Sequence, residues 1–232
     1  APFDNNDVRL ALKYAIDREK LVQNILSGHG RVANDNPIGP AYRYEATGLE
    51  QRTYDPDRAR SLLKKAGHED LTVELSAADA AFAGAVDAAT LFREAAAAAG
   101  ITINVKREPN DGYWSDVWMK KPFSAVFWRG RPTEDWMFST VYVAKAPWND
   151  TFWENERFTS IVNEARTELD EARRRTLYAE AQELIRDDGG AIIPMFANYL
   201  SATSTKVAHP ERLAASDDLD GMRLTERWWF KG

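Results

Sequence analysis

The chain predicts an α/β fold, a mixed sheet flanked by helices, and three observations carry that prediction. Leu71, Val73 and Leu75 alternate with polar residues, the period of a half-buried strand. An alanine-rich helical run through Val86 and Phe92 follows and stops at Gly100, after which Ile101, Ile103 and Val105 alternate again. Strand, helix, strand at this length describes a right-handed crossover unit with parallel strands.

The elements read in order as follows. Val8, Ala11, Leu12, Ala15 and Ile16 fall at helical spacing, and Leu21, Val22, Ile25 and Leu26 continue it in a second helix. Asp17 suits the N-cap of that helix, with Gly28 or Gly30 ending it. The stretch "RVANDNPIGPAYRYEATGL" has little periodicity and two prolines, so it predicts a long surface loop. In "YDPDRARSLLKKAG", Asp55 suits the N-cap, Pro56 the first helical position and Gly67 the stop, with Ala59, Leu62, Leu63 and Ala66 as the buried stripe. After the crossover unit, Asp111 is placed to cap a helix carrying Tyr113, Trp114, Val117 and Trp118. A strand is expected from Phe123 to Trp128, then a helix capped by Thr133. Residues 158–185 predict two helices broken near Asp170 and ended by Gly189 and Gly190. "AIIPMF" predicts a last strand that Pro194 confines to an edge or a bulge. Beyond Tyr199 the chain is polar and weakly periodic and finishes on Trp228, Trp229 and Phe230, a tail suited to docking on something else.

Composition narrows the function. A chain of 232 residues with eight tryptophans has material for a packed core. Its net charge of −6, with no basic stripe, argues against a nucleic-acid partner. No apolar run approaches the roughly 20 residues of a membrane helix. Cysteine is absent, which removes disulfides, thiolate metal sites and cysteine nucleophiles, and the three histidines lie far apart, so no metal site is expected. The chain opens on Ala1-Pro2-Phe3-Asp4 without an initiator methionine, as a processed product, an engineered piece or a fragment would.

Several motifs fail on inspection. Gly28-His29-Gly30 lacks the third glycine and the preceding strand of a phosphate loop. The run from Ser216 to Gly221 mimics a calcium loop, yet it offers Ser216 at the first ligand position and Arg227 where a bidentate glutamate belongs. Asn149-Asp150-Thr151 is a weak glycosylation sequon. Glu134 and Asp135 are adjacent on a helix and do not face each other, so they suit the helix dipole better than acid/base work. No catalytic residues are specified.

What remains is "FWRGRPTEDWM", residues 127–137. Arg129 and Arg131 sit between a strand end and a helix N-terminus, where backbone N–H groups favour anions and guanidinium groups add bidentate recognition of carboxylate or phosphate. Trp128, Trp136 and Trp148 are available as flat apolar walls. Solvated loop charges and core tryptophans are the competing reading of these residues.

The blocks "PFDNNDVRLALKYAIDREKLVQNILSGHG", "NDNPIGP" and "YDPDRARSLLKKAG", followed by "FSAVFWRGRPTEDWM" and the long helical segment to "IIPMF", together resemble the extracytoplasmic solute-binding proteins of peptide/nickel ABC importers, family 5. The resemblance spans nearly the whole chain. It implies one lobe of a two-lobed periplasmic binding protein, with residues 1–204 as the C-terminal ligand-binding lobe and 205–232 as a tail returning to a missing N-terminal lobe. It also implies a peptide or small-molecule solute, a membrane permease as partner, no cofactor and no catalysis. In peptide-binding relatives the loop after the tryptophan commonly supplies an aspartate to the ligand's ammonium group. Here that loop reads Arg129-Gly130-Arg131, which tilts the expectation toward an anionic solute. The expected ligand-binding residues are Trp128, Arg129, Arg131 and Asp135, with Trp148 and Asn149 on the rim. Two rivals are a carboxylate-dependent hydrolase built on Glu134 and a stand-alone interaction module that uses the aromatic tail.

Overall fold

Helix α1 (Asn6–Tyr14) begins where the Asn5 side chain accepts the Asp7 N–H, and α2 (Arg18–Ile25) begins where Asp17 accepts that of Lys20. The computed structural model, which describes residues 1–215 and 217–232, bears out most of the punctuation written into the sequence. Helix α3 (Pro56–Ala66) is capped by Asp55, has proline in its first turn and ends at Gly67 in the left-handed region. Its residues Ala59 and Leu63 are buried against α1, which gives two short helices a shared apolar seam.

The crossover unit is present. Strands β2 (Thr72–Ala77) and β3 (Thr102–Arg107) pair in parallel, with Val73 opposite Ile103 and Leu75 opposite Val105, and α4 (Ala85–Ala97) connects them. Their apolar faces, with Phe92 of α4 and Leu12 of α1, form one core. A second core gathers α5 (Glu134–Val141), α6 (Glu156–Thr167) and α7 (Glu171–Asp188) around Phe138, Phe158 and Tyr178. Thr133 caps α5 as expected, and the expected break near Asp170 is the junction of α6 and α7, where Asp170 caps α7.

Four expectations need correction. The strand expected over residues 123–128 survives only as one parallel bridge, Ser124 to Ser76, with the Ala125 N–H donating to the Ser76 carbonyl at 2.9 Å. Past Ala125 the segment is held by side chains instead of a ladder. The helix expected after Asp111 is a single π-helical turn (Tyr113–Val117), entered through Gly112 at φ 75° with no side-chain cap. The long loop after α2 contains a strand, β1 (Gly30–Val32), which pairs antiparallel with β4 (Met195–Ala197). Three residues are too few to display a period. Pro194, lacking an N–H, stands just outside that ladder and still offers its carbonyl to Ala33 at 2.9 Å. The tail also pairs within itself, β5 (Val207–Ala208) against β6 (Trp229–Phe230). Among the described residues the mixed strand pairing is therefore distributed over three two-stranded ladders. The calcium-loop mimic begins at Ser216, which lies outside the described residues. Its Asp220 is buried and accepts from Ala214 N–H, Arg227 and the Trp228 indole, so that carboxylate is engaged by protein donors.

Candidate functional site

The loop from Trp128 to Pro132 leaves the core beside β2 and enters α5. Its backbone is fixed from outside: the Arg131 N–H donates to the Tyr42 hydroxyl at 2.8 Å, and burial raises the pKa of that phenol. The Arg131 guanidinium turns back on its own loop, donating to the carbonyls of Arg129 (3.0 Å) and Gly130 (3.3 Å), and lies over the Trp128 ring at 5.8 Å. Arg129 is half-exposed and stands 3.5 Å from Asp217 of the tail. A long contact between exposed groups is weak.

Trp128 is the centre of a row of indoles. Trp114 packs on Trp118 (5.9 Å), Trp118 on Trp128 (6.2 Å) and Trp128 on Trp148 (6.1 Å), at tilted or edge-on angles. Such arrangements suit the ring quadrupole. One carboxylate ties the row together. Asp150 Oδ2 accepts the indole N–H of Trp118 at 2.9 Å and that of Trp128 at 3.0 Å. Burial raises its pKa, and the two indole donors pull the other way. With Phe127, the four tryptophans line a cavity of about 200 Å³.

The segment carrying Trp148 and Asp150 is a loop between α5 and α6. Asn149 holds it closed. Its amide donates to the Trp153 carbonyl at 2.8 Å and to Val143 at 3.3 Å, while its oxygen accepts from Thr151 at 2.8 Å. At 4% exposure this side chain points inward, away from any rim, and its burial also removes it as a glycosylation acceptor. Lys145 and Phe152 in the same loop adopt positive φ, a conformation that side chains with a Cβ adopt only at a cost.

The remaining acidic candidates face elsewhere. Asp135 accepts from Arg166 Nε at 3.0 Å, toward α6. Glu134 is buried and accepts the Tyr44 N–H at 2.7 Å, a structural use of the acid on which the hydrolase reading depended. The structure thus brings together Trp128, Arg129, Arg131 and Trp148, turns Asn149 inward and directs Asp135 to α6. Sequence reasoning missed Trp114, Trp118 and Asp150 as parts of this site. Helical spacing in the sequence places the two tryptophans on a helix, and Asp150 stands in it only as the middle of the sequon. The density of tryptophan over residues 114–148, with an acid beside Trp148, was the available signal.

Residues 1–151 match the model of the bacterial extracellular solute-binding proteins, family 5 Middle. The chain belongs to this family. Among family 5 relatives, the glutathione-binding protein GsiB of Pectobacterium atrosepticum is 27% identical over 97% of this chain and 46% of its own length. Di/tripeptide-binding protein 1 of Pseudomonas aeruginosa is 24% identical over 92% of this chain and 41% of its own. The chain thus spans about half the length of the curated relatives it matches. Among solved structures, the dipeptide-binding protein of Pseudoalteromonas sp. SM9913, in complex with Met-Leu, superposes with a TM-score of 0.77 at 22% identity, over 100% of this chain and 46% of that one. NikZ of Campylobacter jejuni, in complex with Ni(L-His), superposes with a TM-score of 0.75 at 19% identity, over 98% and 49%. At these identities the superpositions establish the fold: this chain matches one part of two-lobed binding proteins.

Proposed function

We propose that this chain is the C-terminal lobe of an extracytoplasmic solute receptor, which captures a small anionic solute between two lobes and delivers it to an ABC permease without chemical conversion. The observation that carries the reading is the Arg131 guanidinium lying over the ring of Trp128, itself one wall of an aromatic cavity, with Arg129 in the same loop. Guanidinium groups supply bidentate recognition of carboxylate or phosphate, and the indole supplies a stacking surface. Residues 1–204 form the lobe, and residues 205–232 reach the other lobe. Trp229 and Phe230 support that role, being 54% and 81% exposed and well suited to burial by a partner surface. Solute contacts made by both lobes would favour the closed form, since a ligand shifts an equilibrium only through its differential affinity.

Native mass spectrometry of the complete gene product, gently purified from its own host, tests this. The expected result is a mass near twice that of this chain with a small anionic adduct that is lost on denaturation. Replacing Arg129 and Arg131 together with alanine is expected to abolish the adduct. A protein of this chain's own mass with no adduct, or an adduct indifferent to both arginines, would sink the reading.

A further inference from the structure

The cavity beside the loop has a composition that selects among anions. Its lining consists of five aromatic side chains: Trp114, Trp118, Phe127, Trp128 and Trp148. Three of them, Trp114, Phe127 and Trp148, remain 43–49% exposed. The indole N–H groups of Trp118 and Trp128, which would otherwise serve a polar guest, are already given to Asp150. An apolar cavity of about 150 Å³ accommodates a benzene ring. At about 200 Å³ this one has room for a phenyl or an indole.

Aromatic boxes also attract cations, so the sign of the guest's charge must be decided. Here the Trp128 face already carries the Arg131 guanidinium, 5.8 Å from its centroid, and a second cation beside it would be repelled. The carboxylates nearest in the chain are engaged as well: Asp150 by two indoles, Asp135 by Arg166 and Glu134 by the Tyr44 N–H. None of the three lines the cavity, so an ammonium group seated there meets aromatic rings only. Arg131 is oriented differently. Its Nη1 is used within the loop, while Nε and Nη2 make no hydrogen bond among the described residues, leaving one edge of the fork for an incoming oxyanion.

We infer that the five-ring cavity takes the aryl group of an aromatic carboxylate whose acid pairs with Arg131, making the solute class aryl-substituted acids without a free amine near the ring. This rests on the proposed solute-receptor role and specifies the chemistry of that same site. The acid supplies charge recognition at the loop and the ring supplies apolar burial between tryptophans, so neither half alone should bind well.

Calorimetric titration of the complete gene product with 3-phenylpropionate, butyrate and 3-phenylpropylamine separates the contributions. Phenylpropionate should bind at least about tenfold more tightly than butyrate, and the amine should give no saturable heat. Trp148→Ala and Trp114→Ala, both at half-exposed positions, should each erase most of the advantage of phenylpropionate over butyrate while the far-ultraviolet circular dichroism spectrum stays that of the parent. Arg131→Ala should weaken both acids. Equal affinity for the two acids, or no saturable heat from phenylpropionate, overturns the cavity assignment. Amine binding tighter than acid overturns the charge assignment. All of these can occur while the complete protein still carries an anionic adduct dependent on Arg129 and Arg131, so failure here is distinguishable from failure of the receptor role.

Discussion

Single side chains in this lobe carry unequal burdens, and two acid–base groups illustrate the range. Asp150 is the acceptor for both Trp118 and Trp128, so Asp150→Ala leaves two partly buried indole donors without a partner. Each such loss costs about 1–3 kcal/mol. The expected outcome is a lower melting temperature together with a changed near-ultraviolet circular dichroism signal, because the tryptophan row loses its tie. Lys13 is fully buried and donates to the carbonyls of Ile185, Arg186 and Gly189 at the C-terminal end of α7. Burial lowers its pKa from 10.5 to about 8. The folded value lies below the unfolded one, so above pH 8 the unfolded chain holds this proton more tightly and stability rises with pH. Above pH 10 the buried hydroxyls of Tyr113 and Tyr178, raised to about 12, reverse the trend by staying protonated only in the folded state. Denaturant unfolding between pH 8 and 10 should therefore show a gain on the order of 2 kcal/mol that Lys13→Met removes.

At the scale of elements, caps and turns were legible and short pairings were not. Asp17, Asp55 and Thr133 all cap the helices their sequence positions announced, because a side-chain oxygen reaching an N–H three residues on is a local event. Strand β1 depends on β4, some 165 residues away, and has no local signature. Gly30 is its sensitive point. A Cβ there would stand 2.3 Å from Leu26 Cδ1 and 2.7 Å from the Phe196 carbonyl oxygen, which belongs to the partner strand. Gly30→Ala should separate β1 from β4, and faster amide exchange at residues 195–198 with the rest of the lobe unchanged would be the readout. The π-helical turn at Tyr113–Val117 was misread for a related reason. The Tyr113 hydroxyl donates to the Ala125 carbonyl at 2.6 Å, a tertiary bond that no helical periodicity encodes.

Across the whole molecule, one buried ion cluster joins segments that are remote in the chain. Asp35, fully buried at φ 55°, accepts from Arg18 of α2 at 2.6 Å, from Arg52 at 2.5 Å and from the Ile193 N–H at 3.0 Å. Arg52 continues to Asp187 at the end of α7 at 2.8 Å. Removing the shared acid strands the buried Arg18 guanidinium and leaves Arg52 with Asp187 as its one carboxylate partner, so Asp35→Ala should cost about 3–5 kcal/mol. Because the cluster ties α2, the Arg52 loop and α7, the loss should lower the cooperative transition as a whole. A chemical denaturation curve that keeps its midpoint would count against this account.

The sequence by itself determined the secondary-structure class, the parallel crossover unit, the helix starts at Asp17, Asp55 and Thr133 and the family, because capping and periodicity act within a few residues and the family blocks are linear. Tertiary structure alone decided which polar groups face the cavity. Asn149 turned inward because its amide satisfies two buried carbonyls, Asp135 went to Arg166, and Asp150 gathered two indoles from separate segments. A polar side chain takes the partner that offsets its desolvation, and here those partners were supplied by parts of the chain that only the fold brings together.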